Sequence, residues 1–364
     1  MTPSATYRDA DRIKLLAGQI AEIAADRPMT IMEVCGTHTM AVARHGLRGL
    51  LPLTMRLISG PGCPVCVTPN SFLDHAIALS KLSHTTIATF GDLVRVPGSS
   101  SSLERERAAG RDIRPVYSTI DALEIARSQP TQEVIFLGVG FETTAPTIAA
   151  AIATAREEGT RNFSVLAGCR VIPPALEALL AGITRIDGFI LPGHVSTIIG
   201  AGAYRDLIKR HEVSAAIAGF EPIEILEAIL ALATQIQKKS PALTNAYARA
   251  VTEEGNVRAM GLMREVFEPC DANWRGIGTI PGSGLAIRRE YAAHDAAARF
   301  AVKVPQSREP QGCICGRILT GQAAPADCPL FGKTCTPEHP VGACMVSSEG
   351  TCAAAATFGT GYGL

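Results

Sequence analysis

Short apolar runs recur along the chain, each stopped by glycine, proline or a polar turn and each followed by a stretch of helical period. The first stretch, from about Tyr7 to Ala25, sets Ile13, Leu16, Ile20 and Ile23 on one stripe and predicts an amphipathic helix. Thr30 to Val34 predicts a strand that ends at Cys35-Gly36-Thr37-His38-Thr39 and gives way to a helix through His45. Met55 to Ile58 predicts a second strand, stopped by Ser59-Gly60-Pro61-Gly62-Cys63-Pro64-Val65-Cys66 ahead of a helix from about Asn70 to Leu82. Further strands are predicted at Thr85–Phe90, Arg114–Tyr117, Glu133–Leu137, Phe163–Ala167, Gly188–Leu191 and Val213–Ala218. Between them the clearest helices begin near Asp121 and Pro146, and a long apolar one runs from Pro222 to Gln237.

Strands alternating with helices predict parallel α/β sheets, which bind ligands outside the carboxyl ends of their strands. Those ends carry Cys35, Cys63, Asp92, Glu142, His194 and Glu221. The expected fold is therefore α/β, with two parallel-sheet lobes facing a cleft. Residues 28–145 are expected to form the first lobe, holding Cys35 and the Cys63/Cys66 pair, and residues 146–256 the second. From about Val257 the pattern loosens. Residues 257–364, taken with the N-terminal helix in 1–27, are assigned to a cysteine-rich C-terminal domain.

Composition narrows the function. The chain has 364 residues, enough for two or three domains. Lys+Arg and Asp+Glu are both 34, and no basic stripe or aromatic platform stands out, which argues against a nucleic-acid partner. No apolar run is long enough to span a bilayer, and the first helix carries Arg8, Asp9, Asp11, Arg12 and Lys14 rather than a signal-peptide core. A cytoplasmic protein with no membrane association is expected. In that reducing compartment eleven cysteines are not a disulfide framework.

The thiols fall into groups. Cys63-Pro64-Val65-Cys66 holds two sulfurs close together in a stiff loop, which suits a soft metal or a cycling disulfide. Cys35-x-x-His38 puts a thiol and an imidazole at a helix start, where the dipole favours the thiolate. Glu142, beside the helix that follows it, is a candidate proton acceptor or outer ligand. The turn Gly138-x-Gly140-x-x-Thr143-Thr144 is either a phosphate cradle or a strand-to-helix turn capped by a threonine. It leaves ATP hydrolysis open. Asp92 and Arg95 are placed to pair with each other. Trp274 is expected to pack against the third domain, and Cys169 and Cys270 to be structural. Cys313-x-Cys315 is followed at intervals of twelve, six, eight and seven residues by Cys328, Cys335, Cys344 and Cys352. Four thiolates suit an iron–sulfur cluster or a structural zinc, and two more suggest a redox disulfide beside it.

Several of these motifs together resemble the HypD family of hydrogenase maturation factors. They are Cys35-Gly36-Thr37-His38-Thr39, Gly60-Pro61-Gly62-Cys63-Pro64-Val65-Cys66, Thr89-Phe90-Gly91-Asp92, Gly140-Phe141-Glu142-Thr143-Thr144 and Pro192-Gly193-His194-Val195-Ser196. Asp327-Cys328-Pro329-Leu330-Phe331-Gly332 and Met345-Val346-Ser347-Ser348-Glu349-Gly350 extend the likeness to the C-terminus. The resemblance implies a scaffold on which the Fe(CN)2CO unit of nickel–iron hydrogenases is built, rather than an enzyme of ordinary turnover. It implies a HypC-type chaperone that shares the iron with Cys35, a HypE-type partner that delivers cyanide made from a carbamoyl group, and a hydrogenase large subunit served indirectly. Cys35, Cys63 and Cys66 match metal-handling positions, and His38 and Glu142 match cleft residues. Likeness to ferredoxin:thioredoxin reductase implies a [4Fe-4S] cluster on Cys313, Cys328, Cys335 and Cys344, with Cys315 and Cys352 as the redox disulfide. Met40 stands where some members carry a second histidine, so no two-histidine site is expected. Two other functions fit the residues: a ferredoxin-linked thiol–disulfide oxidoreductase docking its substrate at Cys63 and Cys66, and a two-lobed small-molecule binder with a structural zinc.

Overall fold

A chain that leaves one sheet and later returns to it builds two parallel sheets, as a computed structural model describing residues 7–359 shows. β1 (Met29–Glu33) and β2 (Met55–Ser59) pair side by side, Met29 opposite Met55. The chain then crosses to a second sheet of β3 (Thr85–Thr89), β4 (Asp112–Pro115), β5 (Glu133–Gly140) and β6 (Phe163–Cys169), in the order β4-β3-β5-β6. It comes back as β7 (Gly188–Pro192), β8 (Ser214–Ala218) and β9 (Leu243–Asn245), completing the order β2-β1-β7-β8-β9. β3, β7 and β8 are buried at every position, as strands covered by helices on both faces must be.

The expected division near residue 145 does not coincide with these sheets. β1 and β2 belong with β7–β9, and β6 belongs with β3–β5. Alternation of strand and helix specifies parallel pairing but says nothing about which strands become neighbours. β1 lies between β2 and β7, so the order reverses there, and the loops at its carboxyl end open a crevice. Cys35 follows β1.

The N-terminal helix, Ala10–Ala24, was grouped with the cysteine-rich region, and the structure corrects this. Asp9 caps it by accepting the Arg12 N–H, and Leu16, Ile20 and Ala24 are buried in one cluster with Ile225 and Ile229 of the helix Pro222–Lys238. It packs with the sheet of β1, β2 and β7–β9. Residues just beyond Val257 also pack elsewhere than expected. The helix Val257–Val266 lies on the helix Ala145–Glu158, and β10 (Phe267–Trp274) and β11 (Gly278–Ile287) form an antiparallel hairpin over β6. Glu268-Pro269 breaks the alternation, so the apolar/polar pattern that runs from Cys270 to Trp274 does not reach back to Phe267. Trp274 is fully buried, stacked on Phe141 with centroids 5.9 Å apart, and donates its Nε1–H to Ser283 Oγ at 2.8 Å. The cysteine-rich segment proper begins at Cys313. One buried cluster joins Val34, Cys63, Cys66, Phe141, Cys315 and Cys344, so both sheets and this segment share a core.

Candidate functional site

The two thiol loops are stacked directly on each other. Cys35 lies just beyond β1 with extended backbone and begins the helix Gly36–Arg44 without using its side chain as a cap. Cys63 begins the short helix Pro64–Val67, and its sulfur accepts the Cys66 N–H at 3.2 Å. Gly60 N–H donates to Glu33 O at 2.8 Å, and Gly36 N–H donates to Gly62 O at 2.9 Å. A Cβ on Gly62 would lie 2.2 Å from Cys35 N, and one on Gly36 would lie 3.2 Å from Cys63 Cβ. Glycine is required where backbone meets backbone this closely.

Cys35 is buried, and burial first, then the nearby Glu349 carboxylate, push its thiol up to about 12. The backbone amides of His38 and Thr37 pull the other way and lose. The helix start therefore does not give the low thiol pKa that the motif suggests. A metal that displaces the thiol proton would have to supply the driving force for ionisation.

His38 is wholly buried, its Nε2 2.8 Å from Gly219 O and its Nδ1 without a partner. Burial lowers it to about 4, so the ring is neutral. Phe220 lies between two imidazoles, 4.7 Å from His38 and 3.9 Å from His194 by ring centroids. Glu142 accepts the Ile172 N–H at 2.9 Å through Oε1, while Oε2 has no partner. Burial raises its carboxyl to about 7, within reach of proton exchange at neutral pH. The fully buried Tyr204 feels the charges of both Glu142 and Cys35, and its hydroxyl is 3.2 Å from Ser196 Oγ. Glu221 is drawn away from the cleft as an ion-pair partner of Arg8. Gly138 fits against Val165 and Gly140 against Thr144, so packing accounts for both glycines of the half-matching phosphate turn.

The C-terminal segment closes over these loops. Thr37 Oγ1 donates to Glu349 Oε1 at 2.6 Å, and the Cys63 thiol donates to Ser347 Oγ at 3.4 Å. Asp92 accepts from the hydroxyls of Ser347 and Ser348 at 3.1 and 3.2 Å. Arg95, expected to pair with Asp92, donates instead to Pro337 O at 2.7 Å. Tyr204 and Phe220 lie outside every motif read from the sequence, and Thr37 and Ser347 stand inside motifs without a role of their own; the hydroxyls carry no signal until the segments that contain them meet.

All eleven cysteines are free thiols, and they are not scattered. Cys66 is pushed up by burial and by the adjoining thiols of Cys344 and Cys63. Cys344 Sγ lies 3.9 Å from Cys315 Sγ, and its contacts with Cys315 and Cys66 pull it down. Burial raises Cys352, as do the charges of Cys315, Cys313, Cys335 and Cys328. Thiols thus run from the Cys63/Cys66 loop through Cys344 and Cys315 to the group around Cys352. Among the described residues, no three His, Cys, Asp or Glu side chains converge as ligands of a single ion. The donor set nevertheless suits a thiolate-bound cluster: the sulfurs are soft, gathered and mostly buried, and Cys335 Sγ receives the Val341 N–H at 3.3 Å. Cys169 donates to Gly138 O at 3.3 Å, between β6 and β5, and Cys270 lies on the hairpin.

Fold and site define a two-lobed α/β protein with cysteines gathered at strand ends and under its C-terminal segment. Residues 11–359 match the HypD family model, described as "Hydrogenase formation hypA family". A "Hydrogenase maturation factor HypD" of Rhizobium leguminosarum bv. viciae is 45% identical over 363 residues, covering 97% of this chain and 94% of that one. The "Hydrogenase maturation factor HypD" of Cupriavidus necator is 43% identical over 364 residues, with 97% and 96% covered. A "Putative hydrogenase expression/formation protein MJ0993" of Methanocaldococcus jannaschii is 41% identical over 342 residues, 94% of each chain. The chain belongs to the HypD family of hydrogenase maturation factors. Among the described residues no helix is long and apolar enough to cross a membrane.

Proposed function

We propose that the protein is the scaffold on which the Fe(CN)2CO unit of a nickel–iron hydrogenase is assembled, with iron as its cargo. The observation that carries this reading is the stacking of the Cys35 and Cys63 loops, with Gly62 in backbone contact with Cys35. It supports Cys35 as the anchoring thiol, shared with a HypC-type chaperone, and Cys63 and Cys66 as the exchange pair beside it. Glu142, with one free carboxyl oxygen and a carboxyl raised to about 7, is the group suited to take and return the protons that thiol ligation releases, while His38 stays neutral with Nδ1 free to hydrogen-bond. Cyanide would come from a HypE-type partner, and a hydrogenase large subunit would receive the product.

Cys313, Cys328, Cys335 and Cys344 would hold a [4Fe-4S] cluster, which supplies single electrons when bound. Cys315 and Cys352 would form the redox pair beside it. Cys344, touching both Cys315 and Cys66, is the residue through which that region meets the cleft.

The test is an infrared spectrum of anaerobically isolated protein, co-expressed with its chaperone, in the region of metal-bound CO and cyanide. Bands that vanish in Cys35→Ala while iron and sulfide of the C-terminal region remain are expected. A blank spectrum from protein with an intact cluster and bound chaperone would overturn the scaffold. It would favour a ferredoxin-linked thiol–disulfide oxidoreductase, a reading that the run of thiols from Cys63 to Cys315 also supports.

A further inference from the structure

Away from the thiol cleft, a groove of about 450 Å³ lies between β6, the hairpin and the helix Asn70–Ser80. Its floor is Arg170, the first residue after β6, at the carboxyl end of the second sheet and only 5% exposed. Nη1 donates to Gly168 O at 2.6 Å and Nη2 to Asn273 O at 2.8 Å, both on residues that line the groove. Nε has no acceptor. Both acceptors are neutral carbonyls, and among the described residues no carboxylate forms an ion pair with this guanidinium. Its five N–H groups therefore retain donors beyond the two in use. A second buried arginine, Arg275, faces the same interior and repels it, with its own Nη2 unpartnered. Burial, with a smaller push from Arg275, draws Arg170 down to about 10. A buried cation without a counter-charge is costly to keep and favours any anion that can reach it.

The rest of the lining says which anion. Phe72 and Leu285 supply an apolar wall, and a Cβ on Gly168 would lie 2.6 Å from the Phe72 ring, so that wall is pressed onto β6. The Ser71 hydroxyl and the His75 imidazole line the same groove and have no hydrogen-bond partner among the described residues. Burial lowers His75, against a smaller upward pull from Asp295, which keeps the ring neutral near neutral pH. Asp271 lines the groove as well, spent on the Gly282 N–H at 3.0 Å but still a negative charge. Asp271 is not among the charges that act on Arg170, so the guanidinium remains one uncompensated cation, and the carboxylate elsewhere on the lining disfavours a dianion. The volume and the apolar wall call for a body as well as a charge.

We infer that this groove binds a small organic monocarboxylate, its carboxyl group on the Arg170 guanidinium and its apolar portion against Phe72 and Leu285. A carboxylate accepts charge-assisted hydrogen bonds from the guanidinium N–H groups left over by the two carbonyls. Nothing in the proposed iron chemistry uses this site, so its success or failure is independent of that reading.

Trp274 reports on the groove. It is the single tryptophan, and its ring centroid is 6.0 Å from Arg170 Cζ. Full-length protein is titrated with butyrate, inorganic phosphate and chloride at constant ionic strength while Trp274 fluorescence and the rate of Cys270 alkylation by iodoacetamide are followed. Butyrate is expected to give a saturable change and to slow Cys270 alkylation, with phosphate weaker by about tenfold or more. Arg170→Gln should weaken butyrate by at least about tenfold, and Ser71→Glu, an exposed change that leaves the packing alone, should do the same by charge. A linear response common to all three anions would overturn the site. So would unchanged half-saturation in folded Arg170→Gln or in Ser71→Glu, and phosphate binding tighter than butyrate would overturn the ligand class.

Discussion

Gly62→Ala tests the contact on which the cleft depends. The new methyl would stand 2.2 Å from Cys35 N, 2.3 Å from Cys35 Cα and 2.4 Å from the Val34 carbonyl carbon, where ordinary contacts are 3.4–4 Å. These are backbone atoms at the end of a central strand and have no rotamer to change. The two loops must separate by about 1 Å, which strains or breaks the Gly36-to-Gly62 and Gly60-to-Glu33 hydrogen bonds. Two such bonds at about 1 kcal/mol each, plus about 1–3 kcal/mol of overpacking, give a loss on the order of 4 kcal/mol. That is a large share of the roughly 5–15 kcal/mol that holds a domain together. The assay is the urea midpoint, with the CO and cyanide infrared bands recorded on the same preparations. Gly18→Ala is the control: it is inside the helix Ala10–Ala24 with nothing within 4 Å of the added carbon, and should stabilise by about 0.5–1 kcal/mol. A Gly62→Ala protein with the wild-type midpoint and full infrared bands would refute the stacked-loop geometry.

Other outcomes follow from the same contacts. Burial raises Glu142 to about 7, so the native state holds its proton more tightly than the unfolded chain does. Its stabilising share is complete below about pH 4.5 and disappears as pH rises to 7, so Glu142→Gln should overtake the wild type by up to roughly 3 kcal/mol across that window. A difference in denaturation midpoint that is flat with pH would contradict it. Glu349→Gln removes a negative charge that raises the Cys35 thiol, and should shift the pH profile of Cys35 alkylation toward lower pH. An unmoved profile would separate the two groups. Cys328→Ser should lower iron and labile sulfide together, and unchanged contents would remove Cys328 from the cluster.

The order of elements was legible because buried parallel strands are written as continuous apolar runs. Ser214–Ala218 is buried at every position and was visible as Val213–Ala218. Neighbour relations were not legible, because β1 finds β7 across a long interval of chain that the local pattern does not encode. β9, three residues long and half-buried throughout, has too little apolar content to register. The N-terminal helix was visible as a helix, but its stripe of Leu16, Ile20 and Ala24 does not name a partner; the apolar face of Pro222–Lys238 does.

The candidate site was legible in its residue types and illegible in its electrostatics. Cys35 at a helix start should ionise easily by local rules. Instead the C-terminal segment covers it and brings Glu349 alongside, and the thiol rises to about 12. The same segment carries Cys344 to Cys66 and Ser347 to Cys63, across more than 270 residues of sequence. One stretch of chain therefore raises the cost of a thiolate at Cys35 and brings a second group of thiols to its neighbour. Glu349, Ser347 and Cys344 lie within six residues, so a displacement of Cys344 is transmitted to the cover over Cys35 through a few bonds. Access to the Cys35 thiol and the state of the C-terminal thiols are mechanically connected in this fold. Cys344→Ala should therefore speed alkylation of Cys35, a site it does not touch. An unchanged rate with the segment still in place would show that the cover is held by Thr37 and Asp92 alone.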